Sequence, residues 1–273
     1  MTSIPSQRSL RVTKGRIAIE RLEIRFAGHT AVTDFSLQAD PGEFICLLGP
    51  SGCGKSTVLN SVAGFVAPDR GRIAVDGHPV AGPGPERGMV FQQHSLFPWK
   101  TVLDNVAFGP RMQGRSRADA AELARQYLDL VGLGSSADRY PATLSGGMAQ
   151  RVGIARALVN HPSVLLMDEP FGALDAQTRT IMQESLLRLW GQTGNTVLFV
   201  THDIDEALIL ADRVVVMSAA PGRVLLDLRV ELPRPRPEDV FAHPAFAGHK
   251  RQCLKLIRQE SQRAFDFADG AGI

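Results

Sequence analysis

Residues 49–56 read Gly49-Pro50-Ser51-Gly52-Cys53-Gly54-Lys55-Ser56, with Thr57 next. A glycine, four residues, then Gly-Lys-Ser is the pattern of a loop that wraps phosphate. Its backbone N–H groups turn inward around phosphate oxygens, and the helix N-terminus behind it adds partial positive charge. Lys55 then reaches the β and γ phosphates, and Ser56 can ligate Mg²⁺. The alternative is an ordinary glycine-rich surface loop, which the buried strand ahead and the helix behind argue against. Cys53 is a small loop residue in this reading. Its place at a helix N-terminus would lower its thiol pKa and open it to alkylation when nucleotide is absent.

A second constellation is Val164-Leu165-Leu166-Met167 followed by Asp168-Glu169. Two carboxylates ending a buried strand are costly unless a cation or water chain compensates them. In that role Asp168 faces the metal and Glu169 polarises the attacking water. Taken alone, the run equally suits a strand end with solvated acids; the phosphate loop upstream turns the balance. The third is Leu144-Ser145-Gly146-Gly147-Met148 at the start of a helical stretch. A serine ahead of two glycines caps a helix and leaves backbone donors exposed, which makes either a second anion site or a capped helix and nothing more.

These residues need a frame. Phe44 to Leu48 is a continuous apolar run, the mark of a strand covered on both faces, and it leads through the glycine loop into a helix over Thr57 to Phe65. The same strand pattern recurs at Val164–Met167, Val197–Val200 and Val214–Met217, with Ile181, Ser185, Leu186 and Leu189 marking one helix face between the first two. Strand, helix, strand at this spacing predicts a parallel α/β sheet with crossovers. From Arg16 to Leu37 apolar and polar residues alternate, as in half-buried antiparallel strands. Ala118–Val131 reads as helix, and Met148, Val152, Ala155 and Val159 lie on one helical stripe. Pro233-Arg234-Pro235-Arg236-Pro237 reads as a turn or extended linker before a helix from about Pro244 to Phe265.

The chain has 273 residues, which at roughly 150 per domain makes one to two domains. Thirty Lys+Arg against 28 Asp+Glu leave a net charge of +2, so bulk electrostatics give no argument for a nucleic-acid partner. Apolar runs fall far short of the ~20 residues that span a bilayer. Met1–Lys14 lacks the apolar stretch of a secretory signal, and three scattered cysteines suit neither a disulfide framework nor a zinc site. A reducing, cytosolic compartment is the expectation.

The phosphate loop, Leu144-Ser145-Gly146-Gly147-Met148, Met167-Asp168-Glu169-Pro170 and Thr201-His202-Asp203, in this order and spacing, resemble the ATP-binding cassette of ABC transporters over about residues 16–220. The resemblance implies a P-loop cassette: a mostly parallel central sheet, an N-terminal antiparallel β subdomain and a helical signature subdomain at about 93–160. Residues 1–15 would be an N-terminal tail and 221–273 a linker with a C-terminal helical tail. By the same resemblance Phe26 matches the aromatic that stacks on adenine, and Gln92 the glutamine near Mg²⁺ and the attacking water. Ser145, Gly146 and Gly147 match the signature that contacts the γ-phosphate of a partner subunit's ATP. Ala173-Leu174-Asp175 matches the D-loop and His202 the switch histidine. Two departures stand out: Phe26 where Tyr is common, and Met148 where Gln is frequent. Read without the family, Phe26 also suits a strand core residue, and His202 a structural histidine.

Ala81–Gln92, Leu96-Phe97-Pro98-Trp99, Leu103-Asp104-Asn105-Val106 and Met167–Arg179 resemble importers for nitrate, taurine and other sulfonates, with Gly82–Gly88 and Ala63-Gly64-Phe65-Val66 leaning toward taurine or aliphatic sulfonates. The family implies two copies closing head to tail around two ATP, bound with Mg²⁺ by Lys55, Ser56 and Asp168 of one chain and capped by Ser145 and Gly147 of the other. It also implies membrane permease subunits, an external solute-binding protein that carries the substrate choice, and a peripheral place on the cytoplasmic face of the membrane. Leu96, Phe97 and Trp99 either form the permease docking surface or pack under their own loop. Lys250, Arg251, Lys255 and Arg258 are a solvated helix face or a contact to partner or lipid. A soluble cassette, a small-molecule phosphotransferase and an exporter half-subunit are the rivals. The first usually carries a coiled coil or a second cassette, the second has no need of Ser145-Gly146-Gly147 or His202, and the third brings membrane helices of its own.

Overall fold

The computed structural model describes residues 14–93, 95–172 and 174–270. The greater part of the expected N-terminal tail, Ala173 of the D-loop match and the last three residues of the C-terminal tail lie outside the described residues.

Two sheets organise the molecule. The first is antiparallel, in the order β2-β1-β4-β5, built from β1 (Ile17–Phe26), β2 (His29–Ala39), β4 (Arg70–Val75) and the short β5 (His78–Pro79). The second runs β10-β9-β3-β8-β7-β6, using β3 (Phe44–Leu48), β6 (Arg87–Val90), β7 (Val164–Asp168), β8 (Thr196–Thr201), β9 (Arg213–Met217) and β10 (Val224–Arg229). All its neighbours are parallel except the β9–β10 pair. The expected α/β architecture is present, with alternation producing the antiparallel layer and unbroken apolar runs producing the central strands.

The period of two explains why those runs are unbroken. Ile45 and Leu47 point to a core shared with α1 (Lys55–Ala63) and the first sheet, where Ile17, Ile19, Leu22 and Phe35 are fully buried. Phe44, Cys46 and Leu48 point to a second core under the helices, with Phe199, Phe171 and Leu186. Residues covered on both faces have no polar position to alternate with.

Four expectations need correction. The first helix covers Lys55–Ala63 rather than Thr57–Phe65: Gly54, at φ 93°, turns the loop directly into the helix, and Gly64, at φ 86°, ends it with its N–H on the carbonyls of Asn60 and Ser61. In α5 (Ala176–Thr193) the buried face is Met182, Gln183, Leu186, Leu189 and Trp190, while Ile181 is exposed. α4 (Gly146–Leu158) is no single stripe, because it is enclosed by α2 (Val102–Met112), α3 (Arg117–Leu130) and β6 and buries Val152, Ile154, Ala155 and Leu158 together. The proline-rich segment is no free linker either. Arg236 donates to the carbonyls of Leu208, Ile209 and Ala211 at the end of α6 (Ile204–Leu210), and Arg234 to Asp212, so the segment is bound to the body of the molecule. The boundary expected at residue 220 falls inside the β9–β10 hairpin, and the last described element is α7 (Pro244–Gly270), close to the expected helix. Among the described residues no helix is long and apolar enough to cross a membrane.

Candidate functional site

The carboxyl ends of β3, β8 and β7 fall side by side, with Leu48 opposite Thr201 and Val200 opposite Asp168. The residues that follow each strand therefore share one edge of the sheet: Gly49 onward from β3, His202 from β8 and Glu169 from β7. Such an edge is where parallel sheets place ligands. β6 lies next to β7 with Val90 opposite Met167, so Gln92, exposed two residues later, leaves the sheet at that edge too.

Within the loop, the buried Lys55 ammonium donates to the carbonyls of Gly49 (2.8 Å) and Pro50 (2.9 Å). This folds the lysine back across the concave side of the loop. Ser51 and Gly52 form its exposed tip, Ser56 is exposed at the first turn of α1 and Thr57 half-buried behind it. A β-carbon at Gly54 would lie 2.8 Å from the Ala31 carbonyl, so the antiparallel sheet sits directly against the loop. Cys53 is the small loop residue of the first reading and not the activated thiol: it is buried, and burial raises its thiol pKa against the opposing pull of Lys55. Alkylation is not the chemistry of such a thiol.

Ser56 Oγ donates to Asp168 Oδ1 at 2.8 Å, across 112 residues of sequence. Burial raises the Asp168 carboxyl above its usual range, with the neighbouring Glu169 adding to that and Ser56 and Lys55 opposing it. A hydroxyl and a desolvated carboxylate in contact fit a Mg²⁺ that takes its other oxygens from phosphate and water. Among the described residues there is no cluster of three His, Cys, Asp or Glu that would hold a metal without such help.

The sign of the Asp168 shift gives a stability prediction. A carboxyl raised in the native state costs stability wherever it is charged, a cost absent below about pH 4, where the unfolded carboxyl also holds its proton. Asp168→Asn should therefore melt higher than the parent at pH 8 without nucleotide, and the gap should close as pH falls through the raised native value. Melting curves at pH 8 and pH 5 test this; a lower melting point of the variant at pH 8 would refute the burial argument.

Glu169 adopts a left-handed backbone at φ 40°, held by its N–H on the Val200 carbonyl (3.0 Å) and by Gly172 N–H on its own carbonyl (3.1 Å). A non-glycine residue held in this region costs on the order of 1–3 kcal/mol and is concentrated at functional sites. The turn brings Glu169 Oε2 to 3.1 Å from His202 Nδ1. Both line a recess of about 20 Å³ with Phe171, Arg179, Thr201 and Glu206. That is room for one water.

Three groups lie on other elements. Phe26 is about half exposed at the tip of the β1–β2 hairpin, which removes the strand-core alternative and leaves its ring open to a flat partner. Ser145 caps α4 by accepting from Met148 N–H at 3.3 Å, with Gly146 exposed beside it. Gly147 is buried, and a β-carbon there would come within 2.9 Å of Thr178 Cγ2 on α5. Among the described residues none of these three shares a hydrogen bond with the phosphate loop.

Sequence reading gave no role to Arg179, which reaches the Leu174 carbonyl (3.0 Å) and lies 3.8 Å from Asp203, and missed the buried Gln183–Glu206 bond (2.9 Å). No local pattern marks the contacts to Asp203 and Glu206, because they form only where side chains of α5 reach the start of α6. The two runs that leaned toward sulfonate importers do touch: a β-carbon at Gly64 would fall 2.3 Å from the carbonyl of Gly82, to which Arg87 also donates.

Comparison with known proteins bears on this geometry. A sequence profile described as "ABC transporter" matches residues 32–172. The taurine import ATP-binding protein TauB of Chromobacterium violaceum is 53% identical over 257 residues, covering 91% of this chain and 98% of that one. The nitrate import ATP-binding protein NrtD of a Synechocystis species is 46% identical over 234 residues, 84% of this chain and 88% of its own. Among solved structures, the cassette MJ0796, a dimer in a post-hydrolysis state bound to ADP and Pi, superposes with a TM-score of 0.70 at 30% identity, over 80% of this chain and all of that one.

Proposed function

The chain belongs to the ABC transporter family of ATP-binding proteins, and from that premise we propose that it is the ATP-hydrolysing subunit of an importer for taurine or another aliphatic sulfonate. The observation that carries the enzymatic part is the convergence of Lys55, Ser56–Asp168 and Glu169–His202 on one sheet edge. The taurine import relative supports the solute. The nitrate import relative favours nitrate as a second reading.

ATP is the substrate. Lys55, at the neck of the loop, exchanges its carbonyl partners for phosphate oxygens, while the loop N–H groups from Ser51 to Thr57 take the remainder. Phe26 offers its ring to the base. Ser56 and Asp168, in contact at 2.8 Å, would hold Mg²⁺, with Gln92 as a further candidate ligand, and the ion would supply charge neutralisation at the phosphates. Glu169 accepts a proton from a water in its recess, and His202, hydrogen-bonded to Glu169 Oε2, keeps that carboxylate oriented and offers its other ring nitrogen to the γ-phosphate. Ser145 and the exposed Gly146 serve the nucleotide of a second copy, and the buried Gly147, expected beside Ser145 in that role, instead lets α4 approach Thr178 of α5. ATP thus acts as the interface of a homodimer, and hydrolysis opens it.

The movement has to reach membrane-embedded permease subunits, which would place this chain peripherally on the cytoplasmic face, with an external binding protein selecting the solute. The expected docking stretch divides in two. Leu96 and Phe97 are half-buried, Phe97 packing on Phe108 at 4.8 Å, and the loop is held by the buried Asn105 side chain on Phe97 and Lys100. Trp99 is 72% exposed and is the group offered outward. Trp99→Asp should therefore abolish uptake while basal ATPase stays within twofold of the parent. Leu96→Asp should instead lower the melting temperature, since it places a charge against the core.

The solute is tested by deleting the chain and growing cells on taurine, other alkanesulfonates, nitrate or sulfate as sole sulfur or nitrogen source. Loss on sulfonates alone, rescued by the parental chain, is expected. Loss on nitrate alone would transfer the assignment to the second reading.

A further inference from the structure

His202 opens the segment leading into α6, which has only seven residues. Isolated helices shorter than roughly 12 residues are marginal in water, so tertiary contacts must fix where this one lies. Its C-terminal half is anchored by the buried Ala207, Leu208 and Leu210. Arg236 adds three bonds to its terminal carbonyls, at Leu208 (2.8 Å), Ile209 (3.1 Å) and Ala211 (2.6 Å). Burial and the neighbouring Arg234 push the Arg236 guanidinium down to about 10, which leaves it charged at neutral pH.

The N-terminal turn, the end that carries His202, is held differently. Asp203 caps it, accepting from Asp205 and Glu206 N–H at 2.8 and 3.0 Å. Glu206 is tied to Gln183 of α5. From the C-terminal tail, Lys250 of α7 reaches across and donates to Asp205 Oδ2 at 2.7 Å, both side chains being roughly two-fifths exposed. The same Lys250 closes one side of an open recess of about 300 Å³ whose other lining residues are His202, Asp203, Ile204 and Asp205. Lys250 therefore departs from the solvated face expected for it, while Arg251, Lys255 and Arg258 remain exposed.

We propose that Lys250 is a positioning residue for hydrolysis. By pairing with Asp205 it sets the first turn of α6, and through that turn the placement of His202 against Glu169. The tail is then a working part of the ATPase rather than an appendage. The inference rests on the assignment of Glu169 and His202 made above. Its energetic basis is leverage rather than strength: a half-exposed ion pair contributes little to stability, but small displacements of a catalytic group can cost up to about a hundredfold in rate.

The test uses the full-length chain and measures kcat and KM for Mg²⁺-ATP well below the melting temperature. Lys250→Met and Asp205→Asn should each lower kcat about five- to tenfold with KM unchanged and the melting temperature shifted by no more than a few degrees. The exchange Lys250→Asp with Asp205→Lys should recover most of the loss. In a His202→Ala background, Lys250→Met should have no further effect. Single variants within twofold of the parental kcat, an exchange no better than the singles, or a full additional loss on top of His202→Ala would each overturn the proposal. His202→Ala retaining the parental rate would instead overturn the underlying site assignment, which keeps the two failures distinguishable.

Discussion

Glu169→Gln is expected to bind ATP as the parent does and to hydrolyse it on the order of 10²–10⁴-fold more slowly, the range that a positioned general base contributes. The substitution changes one oxygen for an amide of nearly the same volume. It keeps the left-handed turn, whose hydrogen bonds are made by the backbone of Glu169, Val200 and Gly172. The amide oxygen can still accept from His202 Nδ1, as the carboxylate does at 3.1 Å. What disappears is the capacity to take a proton from water. With hydrolysis stalled and binding intact, the ATP-bound homodimer should accumulate, visible as a doubled mass on size exclusion with Mg²⁺-ATP and as a single-turnover rate far below that of the parent. Hydrolysis at the parental rate would remove Glu169 from the chemistry and leave the bent turn at residue 169 without a purpose.

Lys55→Ala should fail one step earlier. The ammonium already makes two hydrogen bonds, to Gly49 and Pro50 carbonyls, in a buried position. Redirected to phosphate these become charge-assisted on both sides, and bonds to a charged group are worth about 1.5–3 kcal/mol each. Losing two corresponds to a loss of about 10²–10⁴-fold in affinity. The parent at a hundred times its Kd gains about 2.7 kcal/mol of stability from the nucleotide. The alanine variant at the same ATP concentration should gain well under 1 kcal/mol by the same relation, so its melting temperature should barely respond, and it should not rescue growth of deleted cells. Parental stabilisation by Mg²⁺-ATP in the variant would refute the loop assignment.

Much of this site was legible before any coordinates because its parts are local. The phosphate loop, the acids after β7 and the serine before α4 are each a short run whose chemistry follows from adjacent residues, and doubly covered strands such as Phe44–Leu48 announce themselves by having no polar position. What escaped reading is what depends on distant packing. β4 begins Arg70-Gly71-Arg72 and is exposed over that half, so it carries no strand alternation. Ile181 looks like a core residue until the neighbouring elements show that Met182 faces inward instead. Arg234 and Arg236, between prolines, suggest a solvated linker, yet Arg236 supplies donors to a helix end some 25 residues earlier and Arg234 lies over the Trp190 ring at 4.6 Å. For Cys53 the fold decides between its two readings: the helix-terminal position that would activate it is local, but the burial that raises its pKa and leaves it a small loop residue comes from the surrounding fold.

The alternation of β3 side chains between two cores also decides how the molecule comes apart. Ile45 and Leu47 on one face, Phe44, Cys46 and Leu48 on the other, make this single strand a shared wall, and β7, β8 and β9 are divided in the same manner. Peeling away the antiparallel sheet would strip one side of a strand whose other side still holds the helices. Partial melting of either half therefore exposes apolar surface belonging to both, and opening becomes all-or-none where it matters. The expected consequence is that motion during turnover is carried by whole bodies, since the wall beneath the catalytic edge is shared by both cores.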